Sequence, residues 1–269
     1  METSTLDRHS HGEMVVNQRA KNQPFGVDRG VYSVDLYDAI NSFTHDIPFW
    51  LEQARMAKGP VLELCCGTGR ITVPLANAGI PVVGADLSHD MLKGLQQRAS
   101  KAGVLLDARI ADMRSFSFEE KFNLIFIPFN SFQCLYTLSD VQNTLACVRK
   151  HLAPGGRFVL DVFNPSLELM VDRSRNLVEQ GTFELPVRGL VNWKEKCHYE
   201  AAAQVNRVTW LFSFEDGTEE IIKLDLRCFY PLELELLMTS NGFTIENRIG
   251  NYDLSPFVSN SPKQILFCS

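Results

Sequence analysis

The sequence has no apolar window approaching the length of a membrane span. Its polar start, Met1 to Gln23, lacks the apolar core of a signal peptide. Both absences lead us to expect a cytoplasmic protein with no membrane partner. There is no basic stripe either. Lysine and arginine number 26 against 32 acids, for a formal net charge of −6, so nucleic acid and anionic lipid are poor partners. The seven cysteines include neither a C-x-x-C pair nor a Cys/His cluster at zinc spacing. No metal is therefore expected, and the thiols read as reduced and mostly buried. Internal repeats and low-complexity segments are missing as well. What remains, 269 residues of which 45% are hydrophobic and 22% charged, suffices for one large α/β domain with an insertion, or a domain and a half.

What is present is organised around Gly59-Pro60-Val61-Leu62-Glu63-Leu64-Cys65-Cys66-Gly67-Thr68-Gly69-Arg70. An apolar run ends in a G-x-G turn, and a helical pattern begins at Ile71. Glycines let the backbone turn sharply and approach a ligand, and the following helix offers free N–H groups and a positive dipole end. Thr72 stands where the dinucleotide fingerprint G-x-G-x-x-G would have its third glycine, which counts against a nicotinamide or flavin dehydrogenase. A second apolar run, Pro81 to Ala85, ends in Asp86, about twenty residues on, where an acid reaches ribose hydroxyls in doubly wound folds. A third, Leu105 to Ile110, ends in Ala111-Asp112-Met113.

These segments, with Leu87-Ser88, Met91-Leu92 and His151-Leu152-Ala153-Pro154-Gly155-Gly156, resemble the successive motifs of class I S-adenosylmethionine-dependent methyltransferases. The likeness is to the small-molecule branch, which includes glycine N-methyltransferase-like enzymes and the sugar N,N-dimethyltransferases of antibiotic pathways. It runs from about Tyr32 to the C-terminus. It implies S-adenosyl-L-methionine as cofactor and a small-molecule substrate. It also implies a fold: a Rossmann-like seven-stranded α/β sheet with helices on both faces. Cofactor contacts are then expected from Tyr32, Tyr37, Glu63, Cys65, Gly67, Gly69, Asp86, Leu87, Met91, Ala111, Asp112, Met113, Pro128, Phe129 and Asn130. Glu63, beneath the loop, is equally readable as structural. Pro128-Phe129-Asn130 departs from the Asn/Asp-Pro-Pro-Tyr/Phe of enzymes that methylate nucleobase or amide nitrogens. That leaves an aliphatic amine, a hydroxyl or a carboxylate as acceptor.

The rest of the chain supplies the frame. Residues 1–30 read as a flexible N-terminal tail and residues 31–57 as a helical cap of one or two helices. Residues 58–269 read as the methyltransferase domain, with an inserted antiparallel sheet at about 183–230. Strands are expected at Val61–Leu64, Val82–Ala85, Leu105–Ile110, Asn123–Ile127 and Arg157–Phe163, with helices between. Residues 165–182 read as irregular or helical. The insertion reads as three strands, Leu185–Tyr199, Gln204–Phe214 and Glu219–Phe229, the last two joined at Asp216-Gly217. A helix starting at Pro231 and two final antiparallel strands, Phe243–Ile249 and Gln264–Phe267, complete the pattern. The insertion is expected to serve as a substrate lid or as the interface of a homodimer.

Candidate acceptor contacts are Phe132, Tyr136, Phe163, Asn164, Trp193 and Arg227, with Tyr230 beside them. Asn130, Tyr37 and His198 are the candidate catalytic residues, and His45 is the other histidine considered as a proton acceptor. Methyl transfer depends chiefly on proximity and alignment, so it needs no acid–base signature. The same cofactor motifs are compatible with aminocarboxypropyl transfer, with cyclisation releasing methylthioadenosine, or with a catalytically silent cofactor-binding protein.

Overall fold

The computed structural model describes residues 33–166 and 176–269. The cap is two helices, α1 (Val34–Ile40) and α2 (Ile47–Ala57). Ser33 caps α1 by accepting the Leu36 N–H, and Pro48 occupies the first turn of α2. Alternating strands and helices follow: β1 (Val61–Leu64), α3 (Thr72–Asn77), β2 (Val82–Asp86), α4 (His89–Ala102), β3 (Asp107–Ile110), β4 (Phe122–Ile127), α5 (Leu138–His151) and β5 (Leu152–Phe163). Ser88 caps α4, accepting the Met91 N–H. Then come β6 (Val178–Leu185), β7 (Gly189–Glu200), β8 (Val205–Phe214), β9 (Glu219–Arg227), α6 (Pro231–Ser240), β10 (Ile245–Ile249) and β11 (Lys263–Cys268).

The main sheet has seven strands in the order β10-β11-β5-β4-β1-β2-β3. β1 to β5 pair in parallel, and β11 runs antiparallel to both of its neighbours. Neighbouring residues on the central strands feed opposite faces. Leu62, Ile125, Phe158 and Leu160 join a core with Val141 and Leu145 of α5 and Leu234 and Met238 of α6. Val61, Leu124, Phe126 and Val159 join a second core with Phe49 and Trp50 of α2 and with Ile71 and Leu75. Burial on both faces explains why these strands are continuous apolar runs. Each fully buried side chain of this kind contributes roughly 1.5–3 kcal/mol. The Trp50 ring stacks on Phe126 at 4.5 Å between centroids.

The inserted sheet is antiparallel, in the order β6-β7-β8-β9. It has four strands rather than the expected three, and it begins at Val178 rather than about 183. The missed strand carries a bulge between Glu179 and Gly181, and a bulge interrupts the two-residue alternation by which a strand is read. The expected strand Leu185–Tyr199 is in fact the end of β6, a turn at residues 186–188, and β7. Leu36 of α1 packs on this sheet against Val191, Phe212 and Ile222. The cap therefore lies between the insertion and the glycine loop.

Among the described residues no helix is long and apolar enough to cross a membrane, and no cluster of three or more His, Cys, Asp or Glu side chains could hold a metal.

Candidate cofactor and acceptor site

The parallel strands place the ends of β1, β2, β3 and β4 on one edge, where such sheets bind ligands. The chain leaves β1 through Cys65 at φ 59°, Gly67 at 54° and Gly69 at 78°. At Gly67 both the left-handed backbone and the space demand glycine: a Cβ there would sit 3.1 Å from the Tyr37 hydroxyl. Asp86 gathers this edge together. Its Oδ2 accepts the Gly67 N–H and its Oδ1 accepts the Ser88 N–H, each at 2.8 Å. Burial pushes the Asp86 pKa up, against the lowering by those backbone N–H groups. Each oxygen keeps a second lone pair for another donor.

A cavity of about 620 Å³ opens over this edge. Of the expected cofactor contacts, Tyr37, Cys65, Gly67, Asp86, Leu87, Met91, Ala111, Asp112, Met113, Phe129 and Asn130 all line it. Cys65 Sγ lies 3.7 Å from Met113 Sδ. Burial pushes the Cys65 thiol well above its ordinary pKa and the Cys134 thiol, on the same wall, up to about 12. Asp112 is partly buried, which opposes ionisation. The Arg114 side chain and backbone N–H outweigh that and hold its carboxyl below the ordinary value.

The far end of the cavity is built by the insertion and by the segment after β4. Tyr136 and Trp193 line it, as expected. The Tyr136 hydroxyl donates to the Asp225 carbonyl at 2.6 Å, so its ring rather than its hydroxyl faces the space. Glu195, Trp210, Leu224 and Leu226 also line it, and the sequence reading missed them. A signal existed for two of them. Glu195 lies two residues from Trp193 and shares its face of β7, and Trp210 is its cross-strand partner. The indoles of Trp193 and Trp210 meet edge to face at 5.6 Å, and the Trp210 Nε1–H donates to Glu195 at 2.9 Å.

Other expected site residues lie elsewhere. Glu63 is buried beneath the loop, where it accepts the Thr72 hydroxyl and lines no part of the cavity. Gly69 faces away, with Leu95 and Val73 against the position of its missing Cβ. Pro128 is buried behind the turn that presents Phe129 and Asn130. Phe132 is fully buried against Phe229, 5.2 Å between rings. The Asn164 amide donates to the Ser259 and Ser261 carbonyls, and Phe163 sits beside it outside the cavity. Arg227 pairs with Glu233 at 2.6 Å. His198 projects to the opposite face of the inserted sheet, beside Lys196 and Arg207. His45 is exposed next to Phe43 and Tyr252, and the Tyr230 hydroxyl is engaged with that of Tyr199 at 3.0 Å. In a strand, one residue of offset reverses the face, and this misplaced His198. Tyr32 lies outside the described residues.

Residues 61–156 match the family described as "Methyltransferase domain". The matched stretch runs from β1 into the start of β5 and carries the glycine loop and Asp86. YqeM of Bacillus subtilis (strain 168) is 38% identical over 114 residues, 42% of this chain and 46% of its own length. A dTDP-3-amino-3,4,6-trideoxy-alpha-D-glucopyranose N,N-dimethyltransferase of Streptomyces venezuelae is 28% identical over 51% of each chain. The chain thus spans about half the length of the curated relatives it matches. Similarity of fold extends further than similarity of sequence. The CcbJ methyltransferase of Streptomyces caelestis superposes with a TM-score of 0.70 at 24% identity, over 89% of this chain and 98% of that one. The likeness of fold thus covers most of this chain.

Proposed function

We propose that the chain is an S-adenosylmethionine-dependent methyltransferase acting on a small-molecule amine. The observation that carries this reading is the continuity of one cavity, from the loop–carboxylate cradle of Gly67 and Asp86 to the indole wall of the insertion. In this reading residues 33–57 form the cap, and the sheet spanning 178–227 forms the outer wall of the acceptor site.

The residues present fit the cofactor. Gly67 leaves the space that a side chain would fill. Asp86 keeps lone pairs for two ribose hydroxyls, Leu87 and Met91 offer apolar surface for a purine, and Asp112 can accept from its amino group. Asn130 Oδ1 is buried without a hydrogen-bond partner, which leaves it ready to accept from a ligand donor. The bound cofactor supplies an electrophilic methyl group on a sulfonium. The protein holds the acceptor in line and excludes water. Asn130 orients an acceptor N–H. Cys65 and Cys134 stay protonated at neutral pH, so these thiols do not compete for the methyl. An amine is favoured over a hydroxyl because it is nucleophilic once neutral, and because the similar Streptomyces venezuelae protein is an N,N-dimethyltransferase.

The test is mass spectrometry after incubating the protein with S-adenosylmethionine, alone and with a metabolite extract. S-adenosylhomocysteine formed only with extract, alongside a product carrying an added methyl on nitrogen, supports the reading. Methylthioadenosine formed without extract overturns it.

A further inference from the structure

The turn after β4 is the least relaxed part of the site. Phe129 and Asn130, neither of them glycine, both adopt left-handed backbone, at φ 50° and 64°. Two consecutive residues in that region persist only where the surroundings impose them. The structure shows what imposes them. Asp161, fully buried near the end of β5, accepts the Phe129 N–H on Oδ2 at 3.0 Å, and its main-chain oxygen accepts the Asn130 N–H at 3.2 Å. The same carboxylate accepts the Tyr252 hydroxyl at 2.5 Å and the Lys263 ammonium at 2.9 Å. Lys263 lies on β11 next to β5, and Tyr252 follows β10. The final antiparallel pair of the fold is thereby wired to the cavity. The Phe129 ring and the Asn130 amide line that cavity, and Asn130 Oδ1 has no partner in the protein.

We propose that Asp161, with Lys263 and Tyr252, is a positioning device for methyl transfer. It holds the Phe129–Asn130 turn in its left-handed form and so keeps the Asn130 oxygen aimed at the bound acceptor. Lys263 sets an ammonium group 2.9 Å from the buried Asp161 carboxylate, on the oxygen away from the turn. Tyr252 and the Phe129 N–H occupy the carboxylate oxygen nearest the turn, which leaves the Asn130 amide free of that network. This rests on the reading of the cavity as the methyl-transfer site.

The experiment uses the full chain and the variants Asp161→Asn, Tyr252→Phe, Asn130→Ala and Asp161→Asn/Asn130→Ala. It has three readouts. The first is hydrogen exchange of the peptide spanning residues 127–133, which needs no turnover. Exchange there is expected to quicken by at least about tenfold in Asp161→Asn, with β1 to β3 unchanged. The second is calorimetric affinity for S-adenosylhomocysteine, expected to stay within about threefold of wild type in Asp161→Asn and Tyr252→Phe, because Gly67 and Asp86 are untouched. The third is the rate of S-adenosylhomocysteine formation with the metabolite extract as acceptor pool. Asp161→Asn and Asn130→Ala are each expected to lose about thirtyfold, and the double variant no more than about threefold beyond the worse single.

Losses that multiply in the double variant mean that Asp161 acts only on stability, and they overturn the proposal. So do unchanged exchange and rate in Asp161→Asn. If Asp161→Asn does not fold, Tyr252→Phe, which removes one bond and no charge, carries the same expectations at smaller amplitude. A wild-type protein that does not bind S-adenosylhomocysteine overturns the cofactor reading and the proposal with it. Wild-type binding with no change in the variants overturns the proposal alone.

Discussion

The Gly67 N–H donates to Asp86 Oδ2 at 2.8 Å, which makes the glycine loop and the acid at the end of the next strand one mechanical unit. Asp86 therefore has a role that needs no ligand. It fixes the shape of the loop before any ligand arrives, together with the Ser88 N–H at the start of α4.

Asp86→Ala removes the acceptor of two backbone N–H groups and, in the proposed complex, of two ribose hydroxyls. Bonds to a charged group contribute about 1.5–3 kcal/mol each. We expect affinity for S-adenosylmethionine to fall by at least about a hundredfold, since every 1.4 kcal/mol is tenfold. Titration calorimetry measures it, and an affinity within experimental scatter of wild type rules out this role for Asp86.

Gly67→Ala has two separable effects. The backbone at φ 54° is unfavourable for a residue with a Cβ, by about 1–2 kcal/mol. The new methyl also crowds the Tyr37 hydroxyl, 3.1 Å away. Urea denaturation should show the first cost between Gly67→Ala and wild type, and equally between Gly67→Ala/Tyr37→Phe and Tyr37→Phe. The loss of cofactor affinity caused by Gly67→Ala should be smaller in the Tyr37→Phe background, where the crowding hydroxyl is gone. No loss of either quantity in that background would mean that crowding alone matters.

The cap is fastened by a buried ion pair. Arg70, just past the loop, reaches both oxygens of Asp46, at 2.5 and 2.8 Å, and Asp46 is fully buried. The same guanidinium donates to the Phe43 carbonyl and lies 4.0 Å over the Phe43 ring, which in turn contacts Phe129 at 4.8 Å. Removing one partner of such a pair strands the other charge, at a cost of about 3–5 kcal/mol. We expect Asp46→Ala to lose stability on that scale and to raise protease sensitivity in residues 33–57 before the sheet. A loss under about 1 kcal/mol, the size of an exposed pair, would show that the pair is solvated in solution.

The sheet strands and the residues that gather at the glycine-loop end of the cavity are legible in the sequence because each rests on local chemistry. Buried parallel strands are apolar runs, Ser88 and Pro231 mark helix starts, and Gly67 and Asp86 sit at the ends of strands. The acceptor half depends on which face a residue takes in an inserted sheet. Trp193 was found by its type, whereas His198 was placed wrongly because five residues along a strand reverses the face. Phe132 and Phe163 are expected from the sequence as acceptor contacts and line no part of the cavity. The turn at Phe129–Asn130 sends the next residues inward to pack with Phe229, and no local pattern announces that turn. Asp161 was invisible for the same reason. An acid in an apolar strand has no meaning until Tyr252 and Lys263, 91 and 102 residues on, are folded against it.

Glu63, read as equally functional or structural, gives a prediction with a definite sign. Burial drives its pKa from the ordinary 4.5 up to about 8, against the lowering by the Thr72 hydroxyl and Arg70. The folded state thus binds this proton more tightly than the unfolded chain does. Below about pH 4.5 both states hold it and the contribution is fully present. As pH rises toward 8 the unfolded chain ionises first, and stability drains away until the folded state also ionises. Glu63→Gln mimics the protonated form and cannot titrate. We expect wild type and Glu63→Gln to diverge between pH 5 and 8, with the variant gaining by on the order of a few kcal/mol across that window. Urea midpoints at three pH values in that range measure the difference directly. A constant difference would mean that Glu63 is ionised throughout, stabilised beneath the loop by Thr72 and Arg70 despite its burial.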